Sequence, residues 1–371
     1  MRDTSEPRVG QAQELLGQFN HGESIDDTVA IGPDQEALSS WKKRCNIAPE
    51  GQIRLVKLSH MRYQHPDLDE ITKFLQDFGM TVARRTESEI WYKGYGTDQY
   101  VYYARKGPKQ FLGGAFEVES YKDLERARTL SKSTPIEQPS RSPGGGHMVT
   151  VYDPDGFPVN LIFGQAPAEP GDAPSTLTYN YELDKPRVRK FQRFKAGPAA
   201  VYKTDPSVSV LQLGHYGLCT SNYEALLKFY TTNFNLVPTD FLYIETDGTR
   251  KNVAVFAHID RGADYVDHHS FFMSSNPTSH VHHCSFEVHD FDTQKLGHQW
   301  LAGKGYTSVW GVGRHILGSQ IFDYWWDTTG NMVEHYADGD LVNDQTPVGY
   351  GPAGDESLAV WGPELPAGFL Q

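Results

Sequence analysis

The sequence predicts an α+β protein built from four tandem βαβββ modules, paired into two homologous domains. Three observations carry that prediction. The chain has 371 residues, 38% hydrophobic and 12% aromatic, which suits two or three domain cores and excludes a disulfide-stapled mini-protein. Short runs of alternating apolar residues, the period of half-buried strands, are separated by Gly, Pro, Asn and Asp turn signals. Two long stretches also repeat each other at three places in the same order.

Taken in chain order, residues 1–50 are polar, with helices expected over 11–19 and 35–44. Neither has a long apolar stripe, so the segment reads as an arm. Residues 51–165 read as the first domain, without metal ligands. Residues 166–207 carry Pro167, Pro170, Pro174, Pro186, Pro198 and Pro206 and read as a surface linker. Residues 208–340 read as the second, metal-binding domain, and residues 341–371 as an extended tail rich in Pro and Gly.

The repeat justifies the modules. LVKLSHMRYQHPDLDEITKFLQDFGM from Leu55 parallels LQLGHYGLCTSNYEALLKFYTTNFNLV from Leu211, each an alternating strand, a turn and an amphipathic helix. GGAFEVESYKDL from Gly113 parallels HCSFEVHDFDTQ from His283. MVTVYDPDGFPVNLIFG from Met148 parallels IFDYWWDTTGNMVEHYADG from Ile321, each a hairpin whose turn ends in glycine, Asp155-Gly156 or Thr329-Gly330. Each half therefore reads βαβββ twice.

Charge and cysteine content narrow the function. Lys plus Arg is 34 against 47 Asp plus Glu, a formal charge of -13, which argues against nucleic acid or an anionic membrane as partner. No run approaches the ~18 apolar residues of a spanning helix, and MRDTSEPRVGQAQ lacks the apolar core of a signal peptide. Three scattered cysteines (Cys45, Cys219, Cys284) and no Asn-X-Ser/Thr sequon point to a reducing, cytoplasmic setting. The arm and tail are expected to serve contacts in a homo-oligomer.

Histidine is unevenly placed. Of 15 histidines, 11 lie between His215 and His335, about a third of the chain. The repeat singles out three positions there. Where the first half has His60, Gly113 and Asn160, the second has His215, His283 and Glu334. His215 shares a strand face with Leu211 and Leu213, His283 with Ser285 and Glu287, and Glu334 with Met332 and Tyr336. Cys284, Phe286 and Val288 form the opposite, apolar face, expected to be the outer, helix-packed one. On a regular strand His282 and His283 must point to opposite sides. Two neutral imidazoles and a carboxylate on three strands suit Fe(II) or another divalent first-row metal, leaving positions open for substrate and dioxygen. The aromatic segments at Trp325 and Phe271–Phe272 are expected to wall the pocket.

GHYGLCTSNYEALLKFYTTNFNL, DHHSFFM, HVHHCSFEV, GRHILGSQIFDYW and GNMVEHY follow in the order found in type I extradiol ring-cleaving dioxygenases of the vicinal oxygen chelate superfamily. The chain resembles that family from residue 53 to about residue 340. The resemblance implies the vicinal oxygen chelate, glyoxalase-like fold. It implies extradiol (meta) cleavage of a catechol, with both atoms of dioxygen incorporated at a mononuclear Fe(II), Mn(II) being possible. It assigns His215, His283 and Glu334 as metal ligands and His282 to the substrate pocket wall. His269 matches the acid/base histidine, with His268 its rival beside it. His315 and Tyr324 match the pair that contacts the substrate oxygens. Trp310 stands five residues before His315, where relatives that use carboxylated catechols place an arginine, so a neutral or aromatic-substituted catechol is expected. The same module pairing also serves glyoxalase-type isomerases and non-catalytic small-molecule binders, which remain the alternatives.

Overall fold

A computed structural model describes residues 34–171, 210–354 and 357–369. The helix expected over 11–19 and most of the expected linker lie outside the described residues.

The described chain opens with β1 (Asp34–Glu36) and α1 (Leu38–Arg44), which buries Leu38 and Trp41. The first module is β2 (Leu55–His65), α2 (Leu68–Asp77), β3 (Thr81–Arg85), β4 (Glu89–Lys93) and β5 (Tyr102–Lys106). Asp67 caps α2 by accepting from the backbone N–H groups of Asp69 and Glu70, and Leu68, Ile71, Phe74 and Leu75 form its buried stripe. The second module is β6 (Gln110–Val118), α3 (Tyr121–Ala127), β7 (His147–Tyr152) and β8 (Pro158–Phe163). Together they make a seven-stranded sheet ordered β3-β4-β5-β2-β6-β8-β7.

The third module is β9 (Val210–Thr220), α4 (Tyr223–Asn233), β10 (Leu236–Thr246), β11 (Thr249–Ile259), the two-residue β12 (Val266–Asp267) and β13 (Phe271–Ser275). The fourth is β14 (His280–Val288), α5 (Phe291–Gly303), β15 (Ser308–His315), β16 (Ile321–Trp326) and β17 (Met332–Ala337). Asp290 caps α5 by accepting from the Thr293 N–H. The last strands are β18 (Leu341–Val342), β19 (Val348–Pro352) and β20 (Ala359–Trp361). The large sheet runs β1-β19-β10-β11-β13-β9-β14-β17-β16-β15-β20.

Three features depart from the sequence reading. The second module is βαββ, not βαβββ. Between α3 and β7 the expected strand is reduced to the bridges Ser133↔Val151 and Glu137↔Met148, because Pro135, Pro139 and Pro143 remove ladder donors. The supposed tail is not a free extension, since β19 pairs in parallel with β10 and β20 closes the far edge of the sheet. The apolar face of β14 is not simply helix-covered. Phe286 meets Phe78 and Tyr102 of the first half, at centroid separations of 6.0 and 6.3 Å.

The halves share one buried core that runs from Leu38 to Val348. Polar ties reinforce it. His335 stacks on Phe78 at 3.6 Å and donates from Nε2 to the Phe78 carbonyl at 2.7 Å. The Asn235 amide pairs with both backbone groups of Leu55. His65 bonds Thr329 Oγ1 at 2.7 Å and Tyr102 at 2.9 Å. No helix among the described residues is long and apolar enough to cross a membrane.

Candidate metal centre

Register in the large sheet brings the three singled-out residues together. β9 and β14 pair His215 with Ser285, and β14 and β17 pair Ser285 with Glu334, so both side chains stand on one face beside His283. In the first half the same ladders pair His60 with Ala115 and Ala115 with Asn160. His60, Gly113 and Asn160 thus hold the equivalent places. Gly217 makes room for the third ligand, since a Cβ there would meet the His283 ring at 3.1 Å and Phe272 at 2.6 Å.

The ligand atoms form a small triangle. His215 Nε2 lies 3.1 Å from His283 Nε2, Glu334 Oε2 lies 3.2 Å from His215 Nε2, and 3.6 Å separates it from His283 Nε2. Ligands about 2.1 Å from one shared ion stand roughly 3.0–3.4 Å apart, so these edges suit a single small divalent metal. Glu334 is fully buried, and neither of its carboxylate oxygens accepts a hydrogen bond. A buried carboxylate without donors is costly unless a cation neutralises it. The donor set therefore fits a metal: His215, His283 and Glu334 would hold it.

Hydrogen bonds set the tautomers around the triangle. His282 Nε2 donates to the Phe369 carbonyl at 2.6 Å, so its Nδ1 accepts from His283 Nδ1–H at 2.6 Å. That leaves the His283 Nε2 lone pair facing the triangle. His268 Nε2 donates to Asp240 Oδ2 at 2.7 Å, and its Nδ1 accepts from His269 Nδ1–H at 3.1 Å. His269 is left with a basic Nε2, and its ring centroid lies 4.1 Å from that of His215. His315 Nδ1 donates to the Leu358 carbonyl at 2.8 Å, and its Nε2 accepts from the Tyr324 hydroxyl at 3.0 Å. Burial, reinforced by neighbouring histidines, holds His269 and His283 well below the usual imidazole range, and burial lowers His282 to about 4. Burial, with the nearby Glu334 carboxylate, raises the Tyr324 phenol. Neutral imidazoles are the forms a metal and a general base both need.

The triangle lies in a cavity of about 370 Å³. His215, His269, His282, His283, His315 and Tyr324 all line it, so the structure gathers every polar side chain that the sequence assigned except Glu334, which lies beneath. His269 lines the cavity and His268 does not. Apolar walls come from Leu242, Ile244, Phe256, Phe272, Leu317 and Phe369, and none of the lining residues is Lys or Arg.

Two expectations about the walls are corrected. Trp325 and Phe271 do not line the cavity. Strand alternation turns Trp325 away from its neighbour Tyr324 and onto His298, and turns Phe271 onto Tyr216 and Tyr230. His282 and His283 do not diverge either. A register shift between Val281 and His283 breaks the alternation, so both reach the cavity. Sequence reasoning missed Asp240, although an acid inside the apolar run LVPTDFLYI was a usable signal. It also missed the carbonyls of Leu358 and Phe369, for which side-chain chemistry carries no signal.

Residues 212–335 match the Glyoxalase/Bleomycin resistance protein/Dioxygenase superfamily. Metapyrocatechase 2 of Cupriavidus necator is 28% identical over 324 residues, covering 85% of this chain and 91% of that protein. The homoprotocatechuate 2,3-dioxygenase structure from Arthrobacter globiformis superposes with a TM-score of 0.68 at 18% identity, over 87% of this chain and 93% of the other. The Mn(II)-bound glyoxalase from Novosphingobium aromaticivorans does so with a TM-score of 0.65 at 18% identity, over 86% and 98%. At those identities the two structures establish the shared fold. The superfamily match covers residues 212–335, and the ladder register repeats the same arrangement in the first half.

Proposed function

We propose that the chain is a catechol 2,3-dioxygenase-type enzyme that opens the ring of a catechol by extradiol cleavage, with both atoms of dioxygen entering the product. The metal is Fe(II), with Mn(II) admitted by the same ligands, held by His215, His283 and Glu334. One observation carries the reading. A two-histidine, one-carboxylate triangle lies in an apolar cavity with a neutral, correctly presented base, His269, beside it. The similarity to metapyrocatechase 2 along most of both chains supports it.

When bound, the metal supplies a Lewis-acidic centre that makes vicinal hydroxyls acidic and couples the catecholate to dioxygen. The chain's own residues do the rest. His269 Nε2 takes a proton from a substrate hydroxyl and returns it later in the reaction, with Asp240 and His268 holding its tautomer. His315 accepts from the Tyr324 hydroxyl at 3.0 Å and so fixes its orientation, leaving the Tyr324 oxygen to accept from a substrate hydroxyl and position it. His282 keeps His283 in the metal-facing tautomer while walling the pocket. Phe256, Phe272, Leu242 and Leu317 exclude water and strengthen these electrostatic contacts.

The lining favours a ring without a carboxylate. Trp310 is buried 6.0 Å from the Tyr324 ring, and no lining Lys or Arg would neutralise an anionic substituent. Oxygen uptake by iron-loaded protein, with catechol, 3-methylcatechol and a carboxylated catechol compared, tests the proposal. Uptake equal to the catechol consumed, weakest with the carboxylated ring, is expected. Absence of uptake with every catechol would overturn it.

A further inference from the structure

The first half has a cavity of its own, about 260 Å³, bordered by Arg62, Glu89, Trp91, Tyr103 and the 138–142 segment. Ladder register makes it the counterpart of the metal cavity. In the small sheet Arg62 pairs with Tyr103 and Tyr103 with Trp91. In the large sheet Gly217 pairs with Phe272 and Phe272 with Phe256. Phe256 and Phe272 wall the metal cavity as Trp91 and Tyr103 wall this one. The exchange is complementary. Gly217 leaves space for the His283 ring, whereas in the first half Gly113 takes the place of His283 and Arg62 takes that of Gly217. Where the second half carries a metal ligand on β14, the first half carries a fixed cation on the neighbouring strand β2.

We propose that this N-terminal cavity binds a small planar monocarboxylate, its body against Trp91 and Tyr103 and its anionic group on the Arg62 guanidinium. Among the described residues no carboxylate forms an ion pair with Arg62. Its Nε is sealed from solvent without a partner, its Nη1 reaches only Met148 Sδ at 3.5 Å, and its guanidinium carbon lies 4.5 Å above the Tyr103 ring. Glu89, the one lining carboxylate, accepts from the Tyr103 hydroxyl at 2.6 Å and from Arg141 at 3.3 Å. Two lining arginines against one committed glutamate leave a net positive site. A guanidinium offers a planar fork that matches a carboxylate, and a partly desolvated one binds it more strongly than a surface lysine does. The Trp91 and Tyr103 rings, with centroids 5.4 Å apart, and the volume suit a single ring or a short conjugated chain.

Calorimetric titration of the iron-loaded full chain with benzoate, benzamide and inorganic phosphate tests this. Benzoate binds one-to-one, and benzamide and phosphate at least about tenfold more weakly, because each lacks either the charge or the flat body. Arg62→Met weakens benzoate at least about tenfold while metal content and ring-cleavage turnover stay at wild-type values. Three results would overturn the site: benzamide or phosphate binding as tightly as benzoate, unchanged benzoate affinity in Arg62→Met, or no binding of millimolar benzoate. Should Arg62→Met not fold, the three-ligand comparison on the wild-type chain decides alone.

Discussion

Replacing His269 by Phe separates acid–base work from metal binding. His269 is 3% exposed, and its ring lies 5.1 Å from Phe256, so a phenyl ring enters compatible surroundings. The substitution removes the hydrogen bond to His268 at 3.1 Å, a loss of about 0.5–1.5 kcal/mol, while His268 keeps its bond to Asp240. The fold should therefore survive, and the triangle of His215, His283 and Glu334 is untouched. Turnover should fall by ~10²–10⁴, the range for loss of a positioned acid–base group, or about 2.7–5.5 kcal/mol of barrier. The assay is oxygen uptake at saturating catechol, with metal content measured on the same sample. Unchanged turnover at full metal content would refute the role of His269, and loss of metal would show that the residue serves the ligands instead.

Other outcomes follow from the same geometry. His215→Ala or Glu334→Gln should abolish stoichiometric metal with the circular-dichroism spectrum retained. Full metal content and activity in either would sink the ligand set. His282→Phe removes the partner that fixes the His283 tautomer, and metal affinity in a chelator competition should fall about 10–100-fold. Burial lowers His65 to about 4, so its neutral form is favoured in the fold. The stabilisation is present above pH ~6.5 and is lost as pH falls towards ~4. His65→Gln should flatten the pH dependence of unfolding in that window by up to about 1.4 kcal/mol per pH unit, read from denaturant melts.

Much of this was legible in the sequence, because duplicated scaffolds keep their register. The equivalences of His60 with His215 and Asn160 with Glu334 depend on strand periodicity, which is a local property of the chain. The hydrophobic alternation around His215 and the Asp-Gly and Thr-Gly turns set the strands on either side. Legibility stopped where geometry became non-local or irregular. A register shift at His282 is a ladder property that alternation cannot foresee. The Phe369 and Leu358 carbonyls come from a Pro- and Gly-rich segment whose path is set by tertiary packing. The missing strand of the second module was announced by its prolines, yet the strong parallel with the other modules outweighed them.

In the proposed function a metal at His215, His283 and Glu334 directs dioxygen into a catechol ring. Mass spectrometry of the product formed from catechol under ¹⁸O₂ by iron-loaded protein tests it most directly. A ring-opened product carrying both labelled atoms is expected, formed only with metal present and absent in Glu334→Gln. A metal-loaded protein that leaves catechol intact while converting a glutathione hemithioacetal without consuming oxygen would contradict it, and would assign the site to isomerase chemistry.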